Sequence, residues 1–326
     1  MDIPQLPFTI ASEEEFRLQA LETFRFQYRM NPVYREFADL RKTDIDSVKS
    51  ITDIPFLPIS LFKTQEVVCG DKPTQRTFRS SGTTGQQRSH HQVSDLNIYR
   101  QSLQKGFERF YGSPDKYQFL ALTPTPEQNP DSSLVFMIQR FMDLSQSAES
   151  GYFLSSFTGL HARLSQARST GRKVFLIGLT YALLDFAEAY PGSYGPLVVM
   201  ETGGMKGRRN EMTREELHEI LCPAFRIEKI HSEYGMTELL SQAYSPGDGL
   251  FSSPPWMRIL IRDANDPFTY LGPGKSGGIN IIDLANTHSC SFIATDDLGR
   301  LHSDGRFEVL GRFTQSDIRG CSLMTG

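Results

Sequence analysis

Apolar residues recur at helical spacing in the first part of the chain. Three of them form one stripe, Phe16, Ala20 and Phe24. Ser12 and Glu15 have the spacing of a capping box at the start of a helix. The pattern predicts a helical region over about residues 1–53 that packs on the main body. Two prolines interrupt residues 54–63, which favours an extended, aromatic-rich strap over a regular helix.

Farther along, short apolar runs alternate with helical patterns. The strand-like runs cover residues 119–123, 174–178, 197–201 and 225–230. Ser94 is predicted to cap the helix that precedes the first of these strands. The apolar face of that helix is Leu96, Tyr99, Leu103, Phe107 and Phe110. Further helical stretches lie around 159–170, 180–190 and 213–221. Thr213 and Glu216 supply a second capping box. This alternation indicates an α/β fold with a largely parallel sheet.

The helical pattern stops near residue 240. Short β runs at 257–262 and 278–283 are separated by Gly and Pro, which predicts an antiparallel, β-rich C-terminal part. The sequence contains neither a long Gly/Ser linker nor a repeat. We therefore interpret residues 1–312 as one compact body and residues 313–326 as a short C-terminal tail.

Composition is consistent with a folded body and excludes several classes of protein. The 326 residues are 39% hydrophobic and 22% charged, enough for a large core. The net charge of −4 argues against binding to nucleic acid or an anionic membrane. No apolar stretch approaches the ~18 residues of a membrane span, and the start of the chain lacks a secretion-signal pattern. We expect a cytoplasmic protein that acts on a small molecule.

The segment FRSSGTTGQQR, residues 78–88, concentrates hydroxyl groups and glycines. Gly82 and Gly85 allow the chain to curl closely around an anion. Hydroxyl and backbone N–H groups can bind its oxygens, while a threonine approaches the attached Mg²⁺. The lysine of a Walker loop is missing. We predict a polyphosphate-binding loop, with a Ser/Gly surface turn as the alternative.

Two later segments offer groups for the rest of a nucleotide. In EYGMTE, residues 233–238, Tyr234 offers a flat face for a base and Glu238 can bind a metal. The alternative is a turn with a solvated glutamate. In residues 293–312, Asp297 can accept from two ribose hydroxyls and Arg312 can donate to the sugar or to a phosphate. Asp304 and Gly305, in the same segment, are typical of a hairpin turn.

The order of these segments resembles that of the adenylate-forming superfamily of acyl- and aryl-CoA ligases, peptide-synthetase adenylation domains and firefly luciferase. SSGTTG is similar to its phosphate loop, EYGMTE to YGxTE, ATDDL to TGDL and GRF to GRxD. Longer strings, among them METGGMKG and HSEYGMTELLSQAY, resemble the bacterial acyl-protein synthetases, the fatty-acid-activating component of the bioluminescence fatty-acid reductase. This resemblance covers residues 54–326 and implies ATP and Mg²⁺ as cofactors.

The resemblance also implies roles for single residues. The ATP-binding residues that it implies are Ser80, Ser81, Gly82, Thr83, Thr84, Gly85, Gly203, Gly204, Tyr234, Gly235, Met236, Thr237, Asp297 and Arg312. Within this set, Tyr234 would pack against the adenine, and Asp297 and Arg312 would contact the ribose. The implied magnesium ligands are Glu238 and Thr84.

The sequence departs from the superfamily pattern at its C-terminal end. Members usually carry a further domain with a catalytic lysine, whereas this sequence ends 14 residues after Arg312, so we expect that lysine to be absent. Attack on the α-phosphate then needs another cation. Lys206 in GGMKGRR is the first candidate, with a solvated basic turn as the alternative. His231 is a second candidate, for contact with the acyl carboxylate, and a structural histidine is the alternative.

Of the four cysteines, one has a sequence context that suits chemistry. No CxxC pair or zinc spacing links them. Cys69, Cys222 and Cys290 fall in or beside apolar or regular segments, which favours structural roles. Cys321 lies among small, polar residues near the C-terminus, which predicts a mobile tail. The resemblance implies that such a cysteine holds the acyl group as a thioester, and a thiolate is a strong nucleophile.

We therefore predict a ligase that converts a carboxylic acid, expected to be a fatty acid, and MgATP into an acyl-adenylate. The acyl group then passes to Cys321 and on to a partner reductase, acyltransferase or carrier protein. Two alternatives remain open at this point. One is an acyl- or aryl-CoA ligase that uses free CoA. The other is a catalytically inert nucleotide- or acyl-binding subunit.

Overall fold

The computed structural model describes residues 3–81, 87–167, 172–203, 209 and 212–313. The chain divides into two compact units. The first unit comprises Met1–Ser102, Met236–Ser241 and Ser252–Gly326. The second unit comprises Leu103–Gly235 and Gln242–Phe251. The division of the chain into a body, 1–312, and a tail, 313–326, stays a prediction.

The order of elements confirms an α/β protein. The helices are α1 (Glu13–Met30), α2 (Pro32–Leu40), α3 (Leu96–Tyr111), α4 (Ser133–Ser145), α5 (Phe157–Gln166), α6 (Thr180–Ala189) and α7 (Arg214–Phe225). Short 3-10 helices cover Pro7–Thr9, Ile59–Lys63 and Pro114–Lys116. The strands are β1 (Leu57–Pro58), β2 (Arg76–Arg79), β3 (His90–Val93), β4 (Tyr117–Leu122), β5 (Gly151–Tyr152), β6 (Lys173–Gly178), β7 (Leu197–Glu201), β8 (His231–Tyr234), β9 (Ala243–Ser245), β10 (Met257–Arg262), β11 (Ser276–Asp283), β12 (Phe292–Leu301) and β13 (Phe307–Arg312).

The first unit contains a five-stranded sheet and a two-stranded hairpin. The larger sheet has the order β1-β12-β11-β10, with β13 paired to the other part of β12. All of its pairs are antiparallel except β1 with β12, which confirms the predicted β-rich C-terminal part. Strands β2 and β3 pair with each other. The turn between β12 and β13 contains Gly305 at φ 84°, as the hairpin signature predicts.

Helix α1 confirms the predicted apolar stripe. Phe16, Ala20 and Phe24 are buried in the core. Only half of the predicted capping box forms, because the Ser12 hydroxyl accepts from Glu15 N, whereas the Glu15 carboxylate accepts from Ala11 N. One side-chain cap is enough to satisfy an otherwise free N–H of the first turn.

The second unit is built on a six-stranded sheet with the order β5-β4-β6-β7-β8-β9. Every pair is parallel except β8 with β9, which confirms the largely parallel sheet. A core of aliphatic and aromatic side chains covers one face beneath α5, α6 and α7. Thr213 and Glu216 form the complete capping box that was predicted for α7.

Three local predictions are wrong in informative ways. Residues 225–230 form no strand, because Phe225 continues the buried stripe of α7 and the helix ends at a left-handed Arg226. The strand starts instead at His231. Ser94 does not cap α3: Asp95 accepts from Asn97 N, and the buried Ser94 hydroxyl has no hydrogen-bond partner among the described residues. The strap at 54–63 is extended only over β1, and its last five residues form a 3-10 helix.

Candidate active site

The predicted phosphate loop is closed at its base by two hydrogen bonds in the first unit. Ser80 N donates to the Ser89 carbonyl over 3.1 Å, and Ser89 N donates to the Ser80 hydroxyl over 2.9 Å. These bonds continue the β2–β3 hairpin by one step and bring the two ends of the loop together. Ser81 is exposed. The remaining predicted loop residues lie outside the described part of the chain, namely Gly82, Thr83, Thr84 and Gly85.

Glu238 places a buried carboxyl group beside that loop base. The residue is 5% exposed. Burial raises the pKa of its carboxyl group, while a hydrogen bond from Ser89 and the positive charges of Arg312 and Lys63 act in the opposite direction. Glu238 is therefore held by a hydroxyl and two nearby cations. All four groups belong to the first unit.

The backbone around Glu238 is held from two sides. The His91 ring has Nδ1 2.8 Å from the Thr237 carbonyl oxygen and Nε2 3.0 Å from Asn286 Oδ1. Burial lowers the pKa of His91 to about 4, so at neutral pH the ring carries one N–H and donates to one of the two oxygens. The Asn286 amide in turn donates to the Glu238 carbonyl over 2.8 Å.

Asp283 anchors the continuation of the same loop. Its fully buried carboxylate accepts from the backbone N–H groups of Leu240, Ser241 and Ala285 and from the Ser241 hydroxyl. Trp256 Nε1 also donates to that hydroxyl, over 2.9 Å. The carboxylate thus has four donors, which is the condition for tolerating a buried charge.

The sequence reasoning missed His91, Asn286 and Asp283. A signal was present, because polar residues are interspersed with apolar ones at residues 283–291, directly after the apolar strand β11, and all of these residues except His288 are buried. Polar groups that remain fully buried must find partners, so such a run indicates a structural network. Its partners, however, lie far away in sequence: His91 and Asn286 are 195 positions apart.

Asp297 and Arg312, the predicted ribose-contacting pair, face each other across strands β12 and β13. Arg312 Nε lies 3.6 Å from Asp297 Oδ1. The arginine side chain is 85% exposed and the aspartate side chain is 14% exposed. One partner is therefore anchored in the sheet while the other presents its guanidinium group to solvent, where it can reach an anionic ligand.

The predicted adenine-side residues lie at strand ends in the second unit. Tyr234 is the last residue of β8, and its ring packs edge-on against Phe251 with 5.9 Å between ring centroids. Gly203 follows β7 with φ 77°, and its N–H donates to Glu201 Oε2 over 2.7 Å. Gly235 has no room for a side chain while Glu233 keeps its position. Because β7 and β8 are parallel, both loops follow the carboxyl ends of their strands.

The remaining predicted residues of EYGMTE lie on the other side of the unit boundary. Met236 and Thr237 belong to the first unit, and both are partly exposed. Thr237 contributes its carbonyl group to the network described above. Their contacts with a nucleotide stay predictions.

His231 has the environment of a neutral histidine. Its Nδ1 lies 3.1 Å from the Tyr111 hydroxyl. Burial and the positive charge of Lys229 lower the pKa of His231 to about 4. A neutral ring that bonds a tyrosine agrees with the structural alternative. Its predicted contact with the acyl carboxylate stays a prediction.

The cysteines of the described part have the properties of structural residues. Cys69 and Cys290 are buried, and burial raises the pKa of both thiols, that of Cys290 to about 12. Burial also raises the pKa of Cys222. A raised thiol pKa lowers the thiolate fraction and hence the reactivity at neutral pH. Cys321, Lys206 and Gly204 lie outside the described residues.

The donor set around Glu238 fits magnesium. Mg²⁺ in phosphate-transfer sites uses one or two carboxylates together with phosphate oxygens and waters. Within the described ranges, no group of three or more His, Cys, Asp or Glu residues could hold a metal ion. A single buried carboxylate next to a phosphate loop is compatible with a metal that the nucleotide shares.

Within the described ranges, no helix is long and apolar enough to cross a membrane.

Comparison with solved structures defines the fold. A 2-hydroxyisobutyryl-CoA ligase in complex with 2-HIB-AMP and CoA superposes with a TM-score of 0.70 at 12% identity, covering 95% of this chain and 70% of that one. The luciferase-like enzyme of the mealworm Zophobas morio gives 0.54 at 16% identity over 78% of this chain. The chain spans 61% of that enzyme's length. The fold is thus that of the adenylate-forming enzymes.

The family follows from the sequence. The family described as "Acyl-protein synthetase, LuxE" matches residues 4–325, and the chain belongs to it. A long-chain-fatty-acid–luciferin-component ligase of Photorhabdus luminescens is 32% identical over 83 residues, which cover 24% of this chain and 71% of the relative. Family and fold confirm the resemblance seen in the motifs.

Proposed function

We propose that this protein uses ATP to activate a fatty acid and then carries the acyl group as a thioester on Cys321. The observation that carries the proposal is the convergence, within the first unit, of three features with one chemical purpose. The features are the closed base of the phosphate loop, the buried Glu238 carboxyl group and the exposed Arg312 guanidinium group. Ser89 of the loop base and the positive charge of Arg312 both act on the Glu238 carboxyl group. Such a set binds a polyphosphate and a sugar rather than an apolar ligand.

The first step joins the acid to the nucleotide. A carboxylate oxygen of the acid forms a bond to the α-phosphorus, the bond from that phosphorus to the bridging oxygen breaks, and pyrophosphate leaves. Negative charge builds on the phosphates during this step, and donors of the loop together with Arg312 offset it. Glu238, with Thr84, would hold Mg²⁺, which supplies Lewis-acid stabilisation of the phosphate oxygens.

The second step moves the acyl group to the protein. The Cys321 thiolate attacks the acyl carbonyl carbon of the adenylate, the bond from that carbon to the phosphate oxygen breaks, and AMP leaves. The thiol proton passes to solvent. Cys321 is the proposed acceptor because the family resemblance implies an acyl-carrying cysteine near the C-terminus, and burial, which raises the thiol pKa of the other three cysteines, agrees with structural roles for them. Lys206 and His231 are the residues proposed to assist at the α-phosphate and at the acyl carboxylate.

The name of one relative supports the proposed class of substrate. The similar Photorhabdus protein is called a long-chain-fatty-acid–luciferin-component ligase. We propose a fatty acid as the substrate here, and a reductase, an acyltransferase or a carrier protein as the final acceptor of the acyl group. The cytoplasm is the proposed location.

One experiment tests the reaction. The protein is incubated with MgATP and a panel of carboxylic acids, pyrophosphate release is measured, and the acyl mass is sought on the intact protein. We expect pyrophosphate and one acyl adduct, which Cys321→Ser abolishes and Cys222→Ser leaves in place. Turnover that requires CoA and leaves the protein unmodified would identify a CoA ligase instead. The absence of pyrophosphate with every acid would indicate a binding subunit.

A further inference from the structure

A lysine to which the motif comparison assigned no role, Lys63, acts electrostatically on the proposed nucleotide site. Lys63 is the last residue of the 3-10 helix that follows β1. Strand β1 runs parallel to β12, with Leu57 opposite Ile293 and Pro58 opposite Ala294. The two strands therefore run in the same direction, β1 toward Lys63 and β12 toward Asp297. Both belong to the first unit.

The residue before Lys63 packs against His91, whose ring contacts the loop that carries Glu238. The Phe62 ring is fully buried and packs edge-on against the His91 ring, with 5.8 Å between centroids. His91 lies 2.8 Å from the carbonyl oxygen of Thr237, the residue that precedes Glu238. A rigid aromatic contact thus fixes the backbone at Lys63 relative to the proposed metal ligand.

The positive charge of Lys63 acts on the Glu238 carboxyl group. It favours the ionised form of Glu238, together with Arg312 and against the effect of burial. The Lys63 side chain is exposed. Among the residues that the structure describes, Lys63 makes no ion pair with a carboxylate at 4.0 Å or less. Its ammonium group is therefore close to Glu238 in electrostatic terms without being neutralised by a direct partner.

Such a cation suits the phosphate tail of ATP. The tail carries several negative charges, and cleavage at the α-phosphorus concentrates charge on the leaving pyrophosphate. Lysine and arginine side chains, in addition to Mg²⁺, commonly offset this charge at phosphoryl-transfer sites. Arg312 is paired with Asp297 on the predicted ribose side. Lys63 has no such ion pair with a carboxylate among the residues that the structure describes, so its ammonium group is available to the phosphate side.

We propose that Lys63 is a catalytic residue that binds the β- and γ-phosphate oxygens of ATP and offsets the charge on the departing pyrophosphate. This inference rests on the proposed function, because it names a further residue for the same reaction. No motif of the sequence assigns this role to residue 63. Because AMP lacks the β- and γ-phosphates, we expect Lys63 to contribute to the binding of ATP but little to the binding of AMP.

The test compares Lys63→Ala, Lys63→Arg and a control, Lys275→Ala. Lys275 is an exposed lysine of the same unit outside the site. Dissociation constants for MgATP and AMP are measured by calorimetry on the full chain, and pyrophosphate release is measured with a fatty acid. We expect Lys63→Ala to weaken MgATP binding by about 10- to 100-fold, the usual range for a lost charged hydrogen bond. AMP binding should change less than about 2-fold, Lys63→Arg should restore most ATP binding, and Lys275→Ala should have no effect.

Three results would overturn the inference: unchanged ATP binding in Lys63→Ala, an equal loss for ATP and AMP, or a lowered melting temperature that accounts for the loss. A role as a mere counter-ion of Glu238 is separable by a double-mutant cycle. In a Glu238→Gln background, a counter-ion would leave ATP binding unchanged on Lys63→Ala, whereas phosphate binding predicts a persistent loss. If Lys63→Ala weakens ATP binding selectively but the wild type releases no pyrophosphate, the proposed function fails, and of the Lys63 inference only the binding of the β- and γ-phosphates stands.

Discussion

Glu233 and Glu238 are two carboxyl groups of one short segment, the first on a partly exposed residue and the second on a buried one, and the nearest charges act on them in opposite directions. In the second unit, burial and the negative charge of Glu201 together raise the pKa of Glu233 to about 8. In the first unit, burial also raises the pKa of Glu238, but a serine hydroxyl and two cations oppose it. The comparison shows that burial alone does not decide whether a carboxyl group serves as an anion. The nearest charges add to the effect of burial on the pKa of Glu233 and oppose it at Glu238.

The two regions also differ in how the surrounding polar groups are satisfied. Around Glu238, backbone carbonyls and N–H groups bond His91, Asn286 and Asp283. Around β8, packing is largely aromatic, and His231 shares one hydrogen bond with Tyr111 and lies against its ring. A polar network can support a charged ligand site, whereas an aromatic surrounding favours neutral forms.

The largest expected effect separates the two glutamates directly. Glu238→Gln should lower acid-dependent pyrophosphate release by about 100-fold or more, because an amide is a poor magnesium ligand and the developing phosphate charge then lacks its metal. The matched control is Glu233→Gln, which should reduce the rate far less. Steady-state pyrophosphate assays at saturating MgATP measure both. Equal losses in the two variants would contradict the assignment of the metal site.

A smaller effect is expected from the network that holds the Glu238 loop. Asp283→Ala leaves four donors without their acceptor, so the free energy of unfolding should fall by about 3 kcal/mol. Denaturant titration measures the change. Asp263→Ala is the control, because that carboxylate accepts only from an exposed turn, and it should change stability by less than about 1 kcal/mol. Similar values for both would show that the network does not anchor the loop.

The smallest effect concerns the pH dependence of stability. Glu233 has a folded-state pKa of about 8 against an ordinary value of 4.5. The folded chain therefore holds a proton that the unfolded chain loses, and stability is full below pH 4.5 and is lost as the pH rises through about 8.

Glu233→Gln should remove this part of the pH dependence, on the order of 2 kcal/mol between pH 5 and 8 once solvent screening of this partly exposed residue is allowed for. Melting temperatures across that range measure it. The effects of groups that do not interact with Glu233 cancel between the variant and the wild type. Parallel curves for the two proteins would mean that Glu233 is ionised at neutral pH, and the contrast with Glu238 would disappear.

Much of the fold could be predicted because it depends on short-range patterns. The apolar stripe of α1, the capping box of α7 and the strands at 197–201 and 257–262 follow from periodicity within one element. The prediction failed at 225–230 because Phe225 fits both a strand alternation and the stripe of the preceding helix. Local sequence cannot choose between two such periods when both bury the same side chain.

The site divides in the same way. The sequence by itself determined the order of the motifs and the residue types that suit a nucleotide, including Glu238, Asp297 and Arg312, since these depend on chemistry carried by contiguous residues. Only the tertiary structure decided what surrounds Glu238. His91, Asp283 and Lys63 come from distant parts of the chain, and their effects on a carboxyl group arise through space. Hydrogen bonds and charges act over a few ångströms, so the fold had to bring these residues together before their roles could be recognised.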